Sequence, residues 1–534
     1  MLNLIKNPNF TSSHLFRADI FYDSENDHLF TPDSDTNLSQ GFARHMKEEY
    51  RPRKAHWPDF RLERTIVRQL IPRNPQLDRP LLQTCHFFRQ QDGDEEENLI
   101  LYIPHAESPE EVPFYHPTVS QLAFLHTWRP SSASSPDQSP DSFSSPGSLT
   151  LLYRSFPSFP ISSKLERTAL KLLQTIHKHG QGQLIGYEKR VHHDQIIPQK
   201  RYQDTYTALK TKYGRQISER WVEVTDPGKH VFEDIGIAAF LIELWRDMYQ
   251  LPSAVKKDQA QAGAEQNQAA ASGEKPPFPG FVDIGCGNGI LVHLLLSEGY
   301  HGWGFDARER KTWSIFPQES QQQLQQRILI PRIFEHSIES HHSDAVEQWH
   351  DGMFPPETFI VSNHADELTP WTPLLAYLNN SAFIAIPCCS HDLSGARFRA
   401  PATTKAEKRE AASRLPQQHD QNETEISKSQ VETGSLQRSE AQKKMPSAYA
   451  SLCSYVSSIA TEVNFKTESE ILRIPSTRNS CIIGRTRTEN ASATDKGQFI
   501  TELVERELKK DIATIAKDWI ERAEKLMKKP SSGH

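Results

Sequence analysis

The stretch PGFVDIGCGNGILVHLLLSEGYHGWGFDAR, residues 279–308, decides the reading of this chain. Phe281 to Ile284 is a short apolar run that predicts a strand. Gly285, Gly287 and Gly289 then permit a tight turn and close approach of a ligand, and Ile290 to Leu296 continues as a helix. Gly299 is placed to end that helix, and His301 to Phe305 predicts a second strand that delivers Asp306. Strand, glycine turn, helix, strand and terminal acid is the outline of a nucleotide-type cofactor site, the acid accepting both ribose hydroxyls.

Two cofactors fit that outline. A dinucleotide fingerprint wants a third glycine three positions after the second, where this chain has Ile290; its glycines fall instead as GxGxG. Asp283, two residues before the first glycine, is a carboxylate that would repel a pyrophosphate but suits a sulfonium and an ammonium. The charge argument therefore favours S-adenosylmethionine over NAD.

With 534 residues the chain calls for two or three domains. A hydrophobic content of 36%, 35 prolines and a mean hydropathy of −0.63 indicate a globular core diluted by polar segments. No apolar run reaches membrane-spanning length and the first residues lack a signal-peptide pattern, so the expectation is a cytoplasmic protein without a membrane partner. Six cysteines without a framework spacing fit a reducing compartment, and the absence of a CxxC pair argues against a zinc ribbon. The formal charge of −7 excludes indiscriminate coating of nucleic acid, leaving local patches. One such patch gathers Lys189, Arg190, Lys200, Arg201, Lys210, Lys212 and Arg215 around Tyr187, Tyr202, Tyr206 and Tyr213. It reads either as an RNA surface or as a solvated helix face with core tyrosines.

Composition divides the chain. Residues 1–130 form an N-terminal region of uncertain fold with strands around LILYIPHA and PFYHPTVSQLAFLHTW, and 131–148 is a Ser/Pro-rich linker. Residues 149–225 read as a mixed accessory region with the strand SLTLLYRSF and a helix from Leu165 to His177. Residues 229–490 form the cofactor domain, interrupted by low-complexity insertions at 253–277 and 400–445, and 491–534 hold a C-terminal helix and tail. Within the cofactor domain Val231, Ile235, Ala238, Leu241, Ile242, Trp245 and Met248 follow helical spacing and predict a helix burying one face. RILIPRIFEHSIES supplies a third strand, ETFIVSNHADELTPW a fourth, NSAFIAIPCCSHDLSG a fifth, and ESEILRIPS with NSCIIGRTR an antiparallel hairpin at the sheet edge. Alternating strands and helices predict a doubly wound α/β sheet with ligands at the carboxyl ends of its strands.

Six segments in order, HVFEDIGIAAFLIELW, VDIGCGNGILVHLL, GWGFDARERKTW, SNHADELTPW, PCCSHDLSG and RIPSTRNSCIIGR, resemble the fungal tRNA (uracil-2'-O)-methyltransferase family. They span residues 230–485, about half of the chain; residues 1–150 carry no quotable motif. The resemblance implies a Rossmann-like class I methyltransferase sheet beside an N-terminal α+β region and disordered insertions. It further implies transfer of a methyl group from S-adenosylmethionine to the ribose 2'-hydroxyl of a uridine at the edge of the variable loop, nucleotide 44, of serine tRNA. The implied partner is tRNA, with an accessory protein of unknown identity left open. Other readings are methylation of another RNA, of a base nitrogen or of protein, and a non-catalytic RNA-binding scaffold.

In this reading Asp283, Gly285, Gly287 and Gly289 hold the methionine end of the cofactor, Asp306 the ribose, and Asn363 shapes the pocket. A general base for the 2'-hydroxyl is sought in SNHADELTPW, with Asp366 first and Glu367 and His364 behind it; Asp366 has the alternative role of capping the following helix. No Lys-Asp-Lys-Glu tetrad is evident. Arg308, Arg310 and Lys311 are candidates for substrate phosphate, and His391 for a substrate hydrogen bond. Arg478, with Arg473, Arg485 and Arg487, is a candidate for the tRNA backbone. Cys388, Cys389 and His391 lie close in sequence, but neighbouring strand residues point to opposite sides, so no metal is expected there.

Overall fold

The computed structural model describes residues 2–8, 11–28, 45–74, 77–93, 95–128, 147–157, 159, 162–184, 193–250, 275–335, 348–388, 391–398, 447–488 and 495–528. Tyr187, Lys189, Arg190, Cys389, the insertion 400–445 and most of the segments 131–148 and 253–277 lie outside them. The chain forms two compact units, residues 1–188 and 189–534.

The first unit is a six-stranded antiparallel meander, β1 (Leu15–Asp23), β2 (Arg61–Pro72), β3 (Leu81–Asp92), β4 (Glu95–Pro104), β5 (Gln121–Trp128) and β6 (Gly147–Arg154), each paired with the next. Side chains alternate between its faces. Ile66, Cys85, Ile100, Tyr102 and Phe124 bury against Leu165 and Ile176 of a helix, Ser163–Leu184. Phe88, Leu99, Leu101 and Ala123 bury on the other face beneath Trp57 and Phe60. The strand and helix expected in a separate accessory region, 149–225, thus belong to this unit, because β6 completes its sheet and the helix covers it. The remainder of that region starts the second unit.

The second unit centres on a seven-stranded sheet: β7 (Phe281–Ile284), β8 (Gly302–Asp306), β9 (Leu324–Gln326), β12 (Phe359–Asn363), β13 (Phe383–Ile386), β14 (Phe465–Ile471) and β15 (Ser480–Arg487). Its order is β14-β15-β13-β12-β7-β8-β9. The five strands β13, β12, β7, β8 and β9 run parallel, and β14 and β15 form the antiparallel edge hairpin. The third strand is not RILIP but the polar LQQ just before it; Ile328 and Leu329 (β10) pair instead with Trp349 and His350 (β11) outside the main sheet. An edge strand needs only backbone partners, which is why its polar sequence gave no apolar signal.

Helices cover both faces. Gln199–Leu209 (α1), Pro227–Met248 (α2) and Ile290–Ser297 (α3) share one core with β7 and β12. Thr372–Leu378 (α4), Ala448–Glu462 (α5), Lys496–Leu508 (α6) and Ile512–Lys528 (α7) share the other. The C-terminal segment therefore holds two helices rather than one. Helix α2 buries every residue from Glu233 to Trp245, not a single face, and its Trp245 packs among Phe278, Phe281, Tyr300 and Phe359. Such all-round burial rules out a solvated face for Glu233 and Asp234.

Candidate functional site

Strand order reverses between β7 and β12, whose outgoing loops lie side by side at the carboxyl edge, the position where open α/β sheets bind ligands. A cavity of about 530 Å³ opens there, within the size range of ligand pockets.

After β7, Gly285 and Cys286 donate their N–H groups to Phe305 O, locking the turn to β8. Gly287 has φ +51°, and a Cβ there would meet nothing within 4 Å, so this glycine leaves open space on the cavity wall. Gly289 differs: with φ +76°, its Cβ would lie 2.8 Å from Leu324, so it serves packing and does not line the cavity. Asp306 ends β8 on the wall; its Oδ2 accepts from Gly287 N (3.0 Å) and its Oδ1 from Arg308 N (3.1 Å). Each oxygen keeps a lone pair for a ribose hydroxyl. Ile328 and Leu329 add apolar wall beside it.

Asp283, expected at the methionine end of the cofactor, lies behind the cavity wall. It is 1% exposed, off the cavity, and its Oδ1 has no hydrogen-bond partner. Burial, then the charges of Asp234 and Asp306, push its carboxyl well above the usual range. The acid that faces the cavity in its place is Asp234, which the sequence reading passed over together with Glu233.

These two residues of α2 grip the end of β12 in register. Asn363 Nδ2 donates to Asp234 Oδ1 at 3.0 Å, and His364 Nε2 lies 3.0 Å from Glu233 Oε1. Burial, then the Glu233 charge, push Asp234 up to about 7, against hydrogen bonds from Asn288 and Asn363. Burial also raises Glu233, but the hydrogen bond and charge of His364, with Ser476 and His230, outweigh it and hold Glu233 below its ordinary value. Glu233 thus accepts as a carboxylate, Nε2 of His364 carries the proton between them, and Nδ1 is buried without a hydrogen-bond partner. His364 has φ +52° and Asp366 φ +44°, left-handed conformations costing about 1–3 kcal/mol each in non-glycine residues and typical of functional loops.

Asp366 does not cap the next helix. It is the first residue of the 3₁₀ turn Asp366–Trp371, and its Oδ1 accepts from Cys388 Sγ at 3.2 Å. Burial raises Glu367, with Asp366 adding to the effect and His391 opposing it. Both acids line the cavity, as do Arg308, Arg310, Lys311 and Arg478; Arg310 also lies 4.0 Å from Asp306. His391 lies off the wall, in a bridge to Arg397. Among the described residues no group of three His, Cys, Asp or Glu is placed to hold a metal ion.

The other basic groups have structural work. Arg473 pairs with Asp194, Arg485 with Glu468, Arg201 with Glu243 and Asp247, and Lys212 with Glu298. Arg487 lies over the Phe465 and Tyr377 rings, while Tyr202 and Tyr213 are buried. The solvated-face reading therefore describes the patch around residues 200–215. No helix among the described residues is long and apolar enough to cross a membrane.

Comparison with known proteins agrees with this division. Residues 1–190 match the model of a TRM44-like, N-terminal bet v1-like domain, and residues 196–263 and 265–331 match that of a predicted AdoMet-dependent methyltransferase. The tRNA (uracil-O(2)-)-methyltransferase of Neurospora crassa is 43% identical, covering 94% of this chain and 86% of the relative. Proteins of the same name from Aspergillus oryzae and Saccharomyces cerevisiae are 40% and 33% identical, covering 99% and 100% of this chain and 89% and 90% of their own lengths. No solved structure matches the chain.

Proposed function

Since the chain belongs to the tRNA (uracil-O(2)-)-methyltransferase family, we propose that it methylates the ribose 2'-hydroxyl of a uridine in tRNA, using S-adenosylmethionine. In its finer form the reading takes serine tRNA as the substrate, uridine 44 as the target and the cytoplasm as the location. The sheet order, parallel across β13, β12, β7, β8 and β9 with an antiparallel edge hairpin, supports a Rossmann-like class I methyltransferase fold.

The observation that carries the reading is the cavity itself, where the open face of Gly287 and the carboxylates of Asp306 and Asp234 share one wall. That donor set fits the cofactor: Asp306 accepts from ribose hydroxyls and Asp234 faces its positive groups. When bound, S-adenosylmethionine supplies an electrophilic methyl group on a sulfonium.

The protein's own task is then to hold the hydroxyl in line and take its proton. Positioning can contribute about 7–11 kcal/mol of the barrier, and a placed base a further factor of about 10² to 10⁴. His364, which lines the cavity with its Nε2 held by Glu233, is the leading base, and Asp366 the alternative. Arg308, Arg310, Lys311 and Arg478 supply charge for phosphates around the acceptor. Incubation with methyl-labelled cofactor and total tRNA, followed by nuclease mapping, tests the reading. Label in a 2'-O-methyluridine of serine tRNA is expected; label on a base or on protein, or none, overturns it.

A further inference from the structure

The cavity wall also holds two aromatic residues beyond those assigned above to the cofactor. Trp221 and His230 both line the cavity, their rings stacked with planes within 9° and centroids 6.1 Å apart, and this aromatic pair is called the shelf. The shelf is fixed in advance. Trp221 Nε1 donates to Thr225 O at 2.7 Å, and Glu223 Oε1 accepts from both the N–H and the hydroxyl of Thr312, at 3.1 and 3.2 Å. Residues 221–225 are thereby tied to the segment that follows β8, and the inner side of Trp221 packs on the core below.

Three relationships say what such a shelf would carry. His230 precedes Glu233 by one helical turn on α2, and Glu233 holds His364, so the shelf leads directly to the leading base. Lys229, next to His230, and Arg478 line the same cavity and bring cationic groups to it. The ribose acid Asp306 and the apolar residues Ile328 and Leu329 of the same cavity already provide for the cofactor's nucleoside. An aromatic shelf sharing a cavity with a base and cations suits a single unstacked nucleotide: its base on the rings, its ribose at the proton acceptor, its phosphates at the cations.

We propose that the Trp221–His230 shelf seats the nucleobase of the nucleotide being methylated, with Lys229 and Arg478 at its flanking phosphates. The proposal rests on the reading of the protein as an RNA ribose methyltransferase. It makes Trp221 a substrate-binding residue and separates its effect from that of the cofactor residues.

The test is a double-mutant cycle on the full-length protein. The target nucleotide is first mapped with the unaltered protein; failure to find a 2'-O-methylated nucleotide at that stage defeats the reading of function and the proposal with it, whereas the variants below test the shelf alone. Trp221→Ala and Trp221→Phe are then assayed against intact tRNA and against the same tRNA lacking the base, but keeping the ribose, at the target position. Loss of one stacking partner should lower kcat/KM for intact tRNA about 5- to 150-fold in Trp221→Ala, with Trp221→Phe retaining most of it. On the abasic tRNA, Trp221→Ala should cost no more than about twofold, because the partner it lost is already missing. Equal losses on both tRNAs, or a matching loss of S-adenosylmethionine affinity in direct titration, overturn the proposal. Thermal unfolding of both variants, and the Trp221→Phe arm, distinguish lost stacking from lost folding.

Discussion

Asn363 at the end of β12 donates through Nδ2 to Oδ1 of Asp234 on α2, 3.0 Å away, joining a buried carboxyl to the strand end at the centre of the sheet. That carboxyl titrates near 7 because burial and the Glu233 charge resist its ionisation, and a positive ligand beside it would favour the charged form. Between pH 6 and 7 binding of S-adenosylmethionine must therefore expel a proton, and its affinity should rise with pH by up to about tenfold per unit before levelling off. Asp234→Asn should flatten that dependence and weaken binding at pH 8. Isothermal titration at several pH values checks both, and an unchanged slope in the variant would remove Asp234 from the cofactor site.

The same carboxyl makes a statement about stability. In the unfolded chain it ionises near the ordinary 3.8, and in the folded protein near 7. Between those values the native state holds the extra proton, so stability declines as pH rises through the window and stays lower above it. At about 1.4 kcal/mol per unit the penalty is at most roughly 4 kcal/mol. Asp234→Asn should thus melt at a higher temperature than the unaltered protein at pH 8, with little difference at pH 4, as read by calorimetry without cofactor.

Asp306 should matter to the cofactor alone. Replacing it by Asn puts an amide where one of two carboxylate oxygens accepts a backbone N–H, and removes the charge that would receive ribose hydroxyls. The affinity for S-adenosylmethionine should fall about ten- to a hundredfold, while kcat at saturating cofactor changes little. A large fall in kcat at saturation would place Asp306 in the chemistry instead.

His364 and Asp366 can be ranked by a matched pair of variants. With His364 as the proton acceptor, His364→Asn should lower kcat about 10²- to 10⁴-fold with cofactor affinity retained, and Asp366→Asn should cost less. Single-turnover methyl transfer to tRNA separates this step from product release. A larger loss in Asp366→Asn transfers the role to Asp366, which Cys388 would then orient through its thiol.

How much of this was readable in the sequence depended on range. The turn from Phe281 to Asp306 is local: four buried strand residues, glycines that need positive φ, and an acid at the next strand end all act within one βαβ unit. The acids of α2 were illegible for the opposite reason. A helical pattern is scored on apolar positions, so Glu233 and Asp234 looked like its polar side, and only the pairing with residues 131 and 129 positions later makes them part of a site. Trp221 suffered likewise, since an isolated tryptophan gives no signal until His230 and the cavity are placed beside it. The sixth strand of the first unit was misassigned because a Ser/Pro-rich segment separates it from its partner β5.

Gly287 and Gly289 look equivalent in GxGxG, yet they should fail differently. Gly289→Ala forces a Cβ to 2.8 Å from Leu324 at a left-handed φ of +76°, within a core that cannot yield far. Strain and clash together should destabilise the protein by about 1–3 kcal/mol and lower its melting temperature with or without cofactor. Gly287→Ala meets no atom within 4 Å; it carries only the backbone cost of φ +51° and places its methyl group in the cavity. Its melting temperature without cofactor should stay nearer that of the unaltered protein, while the rise produced by saturating S-adenosylmethionine should shrink markedly. Differential scanning fluorimetry with and without cofactor reads both quantities. If Gly287→Ala kept the full cofactor-induced rise and Gly289→Ala lost only that rise, the assignment of the two glycines would be reversed.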